Sequence, residues 1–153
     1  MSIRAFRIIK AKYVPTAFNG EGARLYGGRW NSMGTRMIYL AGSLSGATLE
    51  LLVHIDDYST IEGLYSYVPV DLPEELIHSI DEKMLPKGWN ASTIAFSTQK
   101  IGDEWVASMS SVVLKVPSVI TEGEANFLVN PAHEDFPKLR IGEACEFKLD
   151  PRI

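Results

Sequence analysis

Cysteine occurs once in this chain, at Cys145, so no internal disulfide can form and a Cys/His zinc cluster is out of reach. Histidine is also scarce. His54, His78 and His133 have no H-x-x-x-H spacing, and no metal site is expected. No apolar run approaches the roughly 20 residues of a membrane-spanning helix. The opening MSIRAFRIIKAKY lacks the long apolar core of a signal peptide. A cationic excess is missing too: 15 Lys and Arg stand against 19 Asp and Glu, a formal charge of −4. That disfavours direct nucleic-acid binding, which needs a strong cationic face. It leaves room for a few local arginines to hold a pyrophosphate. The setting expected from these absences is reducing and cytoplasmic.

What remains is ordinary globular material. The 153 residues are 46% hydrophobic, with no repeat, low-complexity tract or linker, and they are read as a single compact domain over 1–153. Alternation over Ile3–Ile9 predicts a first strand with one arginine on each face, Arg4 and Arg7. Residues 10–35 read mostly as loop with a short turn of helix. Met37–Ala41 reads as a buried strand. Leu44–Ile55 has helical length with Ser43 as N-cap. Its apolar residues cover about two thirds of the wheel, so the helix is expected to be mostly buried. Only Gly46, Glu50 and His54 form a polar strip.

Leu64–Val70 reads as a strand, part of which Pro69 places at a sheet edge. Pro73–Ile80 is a turn or short helix, and Pro86–Asn90 a loop. Ser97–Ser110 reads as a helix weakened at Gly102 by about 1 kcal/mol relative to Ala. Val112–Val116 is a strand stopped by Pro117. Glu122–Leu128 is ambiguous, and Leu139–Ile141 with Cys145–Leu149 look like closing strands. The sum is an α+β (mixed α/β) domain. It is not the regular βαβ alternation of a doubly wound sheet.

Several residues could carry chemistry. Gly20, Gly22, Gly27 and Gly28 invite a dinucleotide reading, but position 25 is Leu and no βαβ unit follows. Gly27-Gly28 reads either as a tight turn or as a close approach of backbone to a ligand, just before Arg29. Arg29 either packs its stem on Trp30 at the surface or pairs with an anion in a cleft. Tyr39 is a core tyrosine or a stacking surface. Glu50 lies on the solvent side of its helix or on a cleft wall, with Gly46 making room for a ligand beside it. Ser118 ends a strand, where a turn is the ordinary role, and no G-x-S-x-G elbow surrounds it. In Asn126-Phe-Leu-Val-Asn130-Pro-Ala-His133, Asn130-Pro131 is a turn signal and His133 is a structural residue, a base or a phosphate contact.

Taken together, Gly27-Gly28-Arg29-Trp30-Asn31, Ile38-Tyr39-Leu40-Ala41, Leu49-Glu50-Leu51-Leu52-Val53-His54, Val116-Pro117-Ser118, the Asn126–His133 run and Asp150-Pro151-Arg152 resemble the RES domain family. The family is named for an arginine, a glutamate and a serine, which match Arg29, Glu50 and Ser118. The resemblance is weakest over residues 56–95. It implies a fold similar to ADP-ribosyltransferases and a bacteriostatic toxin of a type II toxin–antitoxin pair. The implied partner is an Xre-like helix-turn-helix antitoxin, in a higher-order complex. The implied substrate is NAD⁺, cleaved by hydrolysis or phosphorolysis without a metal. ADP-ribosyl transfer to a protein is the first alternative, and a non-catalytic nucleotide- or peptide-binding module the second. On this reading Glu50, Arg29 and Tyr39 are catalytic. Ser118, Asn130, His133, Gly28, Trp30 and Asn31 bind substrate.

Overall fold

A computed structural model describes all residues, 1–153. One sheet organises the chain, in the order β4-β5-β6-β2-β1-β3-β7, with β8 also paired to β3. The strands are β1 (Ser2–Lys10), β2 (Ile38–Ala41), β3 (Tyr65–Pro73), β4 (Ile77–Ser79), β5 (Val113–Pro117), β6 (Ala125–Val129), β7 (Arg140–Ile141) and β8 (Cys145–Glu146). All pairings are antiparallel except β4 with β5. The helices are α1 (Glu21–Tyr26), α2 (Leu44–Leu52) and α3 (Phe96–Ser108), joined by short 3-10 turns. The architecture is the α+β class expected, without βαβ winding. No helix is long and apolar enough to cross a membrane.

Side chains alternate between sheet faces, and cross-strand partners share a face. One face carries Ala5, Ile38, Leu40, Val70, Leu72, Phe127 and Val129, which form the larger core cluster. The opposite face carries Leu114, Val116 and Leu128, which pack with Trp30, Met37, Trp89 and Trp105 under α3. Tyr39 stands opposite Leu128, and Asn126 lies between Ala41 and Val116, so both belong to this second, tryptophan-rich face. Trp105 is tied in through Nε1, which donates to Ser111 Oγ at 2.9 Å.

Some sequence expectations change. The Glu122–Leu128 ambiguity resolves into β6, a central strand. The Pro73–Ile80 segment holds β4, a three-residue strand that lives only by pairing with β5. Strand β3 is flanked by the short β7 and β8, and the part between them, at Pro69, is left as an edge. Pro69 is tolerated because its O accepts from Gly142 N at 2.8 Å, in the break between those two short strands. The missing N–H therefore falls where no ladder partner stands.

Helix α2 is not mostly buried. It ends at Leu52, only Ala47 is fully covered, and Leu49 and Val53 are 43% and 61% exposed. It rests mainly on β1 and β2, and most of its residues are only half-buried. Gly46 does not open space beside Glu50 either. A Cβ there would meet Ser43 Oγ at 3.1 Å and Glu124 Oε1 at 3.5 Å, the atoms that cap the helix.

Gly102 acquires a reason that propensity does not give. A Cβ on it would lie 1.6 Å from the Trp30 carbonyl oxygen, so α3 docks with its backbone against that carbonyl. In an open helix Gly→Ala gains about 1 kcal/mol. Here overpacking reverses the sign, and Gly102→Ala is expected to destabilise by at least about 2 kcal/mol. Urea unfolding checks this; a variant as stable as the parent would refute the docking.

Candidate active site

The segment between α1 and β2 is a tight turn. Gly28 and Asn31 form an isolated bridge, with Gly28 N donating to Asn31 O at 3.0 Å, so Arg29 and Trp30 occupy the tip. Gly27 at φ 73° and Gly34 at φ 103° adopt backbone that other residues rarely take. Asn31 is fully buried and staples the turn: its Nδ2 donates to the carbonyls of Ala23, Ser32 and Thr35 at 2.8, 3.1 and 3.0 Å.

The Tyr39 hydroxyl joins this turn to the sheet. It donates to Asn31 Oδ1 at 2.6 Å and accepts from Trp30 N at 3.1 Å. Gly28 leaves the space: a Cβ there would sit 2.7 Å from that hydroxyl oxygen. Trp30, 2% exposed, is thereby core rather than cleft wall. Trp30, Asn31 and Gly28 thus hold the turn, while Arg29 is the side chain at the tip that stays partly accessible.

Arg29 Nη1 donates to the Trp89 carbonyl at 2.9 Å. Desolvation pulls its guanidinium below the ordinary value, and the charge of Glu50 is the largest influence acting the other way. Arg29 and Glu50 therefore feel each other across the site although no salt bridge joins them. Glu50 comes from α2, and Asn126 Nδ2 donates to its Oε1. Asn126 is a diagonal neighbour of Tyr39 on the tryptophan-rich face. The helix, β2, β6 and the turn thus bring Glu50, Tyr39 and Arg29 to one side of the sheet. Glu50 Oε2 keeps no protein partner.

The remaining candidates sit apart. The Ser118 Oγ accepts from Ile120 N and Thr121 N at 3.2 and 3.1 Å, which is the turn role, at the same end of the β5–β6 hairpin as Asn126. Asn130 and His133 are buried and hold the end of α3. Asn130 Nδ2 reaches Val106 O at 3.4 Å, and His133 Nε2 meets the Met109 carbonyl at 3.0 Å. His133 Nδ1 accepts from Asp135 N at 3.0 Å, so Nε2 carries the hydrogen. His54 is exposed just beyond the end of α2, and no group of three or more His, Cys, Asp or Glu side chains is gathered for a metal.

Two residues of the site were named in the sequence reading without a role there. Asn126 orients Glu50. Arg7 is the second: its Nη1 donates to the Tyr39 carbonyl at 3.2 Å, its buried Nε has no partner, and burial pulls its pKa down. Strands β1 and β2 share only the register pair Phe6–Ala41, so this guanidinium serves a carbonyl that a longer ladder would have satisfied. The available signal was a mid-strand arginine flanked by apolar residues on both sides.

Burial also raises the Tyr39 phenol above its ordinary value of 10.0. A raised folded-state pKa favours the protonated form, so its contribution to stability is full below the unfolded value and fades as pH rises past it. Spectrophotometric titration of the chain and of Tyr39→Phe should show that the phenol lost by substitution is one that stays un-ionised at about pH 11, a unit above an ordinary tyrosine. Loss of an ordinary transition near pH 10 in Tyr39→Phe would contradict the hydroxyl's placement.

Comparison with known proteins bears on this arrangement. A family model described as the RES domain matches residues 4–150. The chain is 38% identical over 149 residues to Toxin Res of Photorhabdus laumondii, covering 97% of this chain and 95% of that one. It is 33% identical over 144 residues to the Prs ADP-ribosylating toxin of a Sphingobium species, covering 92% and 89%. Among solved structures, a chain in the crystal structure of the M. tuberculosis MbcT–MbcA toxin–antitoxin complex superposes with a TM-score of 0.78 at 18% identity, over 97% of this chain and 85% of that one. That likeness establishes a shared fold. With its family model spanning nearly the whole length and relatives above 30% identity along it, the chain belongs to the RES domain family.

Proposed function

We propose that the chain is the toxin of a toxin–antitoxin pair and cleaves the nicotinamide–ribose bond of NAD⁺, by hydrolysis or phosphorolysis. The observation that carries this reading is the convergence of the Glu50 carboxylate, the Tyr39 ring and the Arg29 guanidinium on one sheet face. Breaking that bond builds positive charge on the ribose, while nicotinamide leaves neutral and needs no general acid. The site must therefore supply a fixed negative charge beside the developing cation. Glu50 provides it, with Oε1 held by Asn126 and Oε2 free to face the sugar or a ribose hydroxyl. Tyr39 offers a ring face whose orientation its hydroxyl bonds fix. Arg29 favours the pyrophosphate. Ser118, at the same end of the β5–β6 hairpin as Asn126, is the proposed hydrogen-bond partner of the ribose or nicotinamide side, beyond its turn role. Asn130 and His133 hold the end of α3, at the far end of β6 from Asn126, and act on the site only through that helix.

The names of relatives support the toxin reading, and the structural neighbour, solved within a toxin–antitoxin complex, supports an antitoxin partner. We assign that partner to the Xre-like class. Leu49 and Val53, exposed on either side of Glu50 along α2, are the apolar residues it would cover, shutting the cleft as it binds. ADP-ribosyl transfer to a protein is a second reading, favoured by the relative named an ADP-ribosylating toxin. The two share every step up to loss of nicotinamide and differ in the acceptor that enters. ³²P-labelled NAD⁺ added to a cell lysate separates them, since only transfer leaves label on protein.

Removing one well-placed electrostatic group costs roughly 10²–10³ in rate. Glu50→Gln and Glu50→Ala are expected to lose NAD⁺ consumption by about that factor, with unfolding midpoints close to the parent's. Consumption by either variant at the parental rate would remove Glu50 from this role.

A further inference from the structure

Helix α3 touches the Arg29 turn through a single stripe. Gln99, Gly102 and Asp103 stand at i, i+3 and i+4, and so face the same way. Gln99 Nε2 donates to the Gly28 carbonyl at 3.0 Å. Gly102 lies against the Trp30 carbonyl. Asp103 accepts twice from one residue: from Ser32 N at 3.0 Å through Oδ1, and from Ser32 Oγ at 2.5 Å through Oδ2. Tyr39 holds the same turn from the sheet side, through Trp30 N and Asn31 Oδ1. Residues 28, 30, 31 and 32 are thus each fixed by a partner outside the turn, which sets the base from which the Arg29 side chain reaches the Trp89 carbonyl and the side of Glu50.

This clamp needs polar residues that helix stability does not. Ser32 and Asp103 are only half-buried, and a bidentate acceptor there contributes more to geometry than to the core. We infer that Gln99 and Asp103 are positioning residues: α3 sets the direction of the Arg29 guanidinium, and so the binding of a dinucleotide's pyrophosphate, by clamping the turn against Tyr39. The inference rests on the assignment of Arg29 to the substrate anion but has a readout of its own. Asp103→Asn keeps the clamp, because its amide oxygen accepts from Ser32 N and its NH₂ donates to Ser32 Oγ. Asp103→Ala and Gln99→Ala each open one side of it.

The test combines two measurements on the full chain. The first is NMR relaxation of the Arg29 Nε–Hε group, which needs no substrate. Its motion is expected to increase in Asp103→Ala and Gln99→Ala and to stay parental in Asp103→Asn. The second is steady-state kinetics with NAD⁺. Asp103→Ala is expected to raise KM about tenfold with a smaller change in kcat, since a modest misplacement of a binding group weakens what it holds. A mere loss of folded protein would lower kcat and leave KM alone. On an Arg29→Ala background the same substitution should change kcat/KM by less than about twofold, because the two residues act as one unit. Unchanged Arg29 motion in both alanine variants, or full additivity with Arg29→Ala, would overturn the inference. If the parent leaves NAD⁺ intact, the proposed reaction falls, and the relaxation data still decide whether α3 positions Arg29.

Discussion

The hydroxyl of Tyr39 is the contact on which the site depends. It bridges a backbone N–H of the Gly28–Asn31 turn and the buried amide of Asn31, and so fastens an irregular segment to a regular strand. Loops rarely place a charged group accurately unless a rigid element over-determines them. Here β2 lies below, α3 above and the Asn31 amide inside. Glycine at 28 and at 102 removes the side chains that would otherwise keep these surfaces apart. Much of the hydrogen bonding in this region is spent on holding one arginine at a turn tip.

The electrostatics follow from that packing. Arg7 and Arg29 are both depressed by desolvation, and neither has a carboxylate in contact. A cation held out of water without a counter-ion costs several kcal/mol. Arg7 meets Tyr39 only at its backbone carbonyl and shares the sheet face of Ala5, so Arg29 is the cation of the two that stands on the face of Glu50. Glu50, oriented by Asn126, sets a negative charge on the same face. The proposed substrate, with a pyrophosphate at one end and a positively charged ring at the other, would suit that polarity.

The fold was legible in the sequence wherever periodicity ran long. The first strand with an arginine on each face, the Ser43-capped start of α2, and α3 all follow from apolar spacing and turn signals. Strand β4 escaped because three residues paired in parallel leave no periodic trace, and β6 because Gly123 and Glu124 obscure its start. The burial of α2 was overestimated because a wheel counts apolar residues without knowing what covers them; Leu49 and Val53 face outward. At the site, residue types pointed to Arg29, Tyr39 and Glu50, and the structure places these on one side of the sheet. The internal work of Trp30 and Asn31 was not legible, since it depends on Tyr39 reaching them from β2. Nor was the part of Arg7, whose interest lies in a buried nitrogen without a partner.

The most direct measurement is release of nicotinamide from NAD⁺ by the purified chain, in buffers with and without phosphate. If Glu50, Tyr39 and Arg29 form a site for cleaving that bond, nicotinamide appears as NAD⁺ disappears. It appears in both buffers for a hydrolase, and only with phosphate for a phosphorylase. NAD⁺ left intact in both buffers and in the presence of cell lysate would contradict that claim.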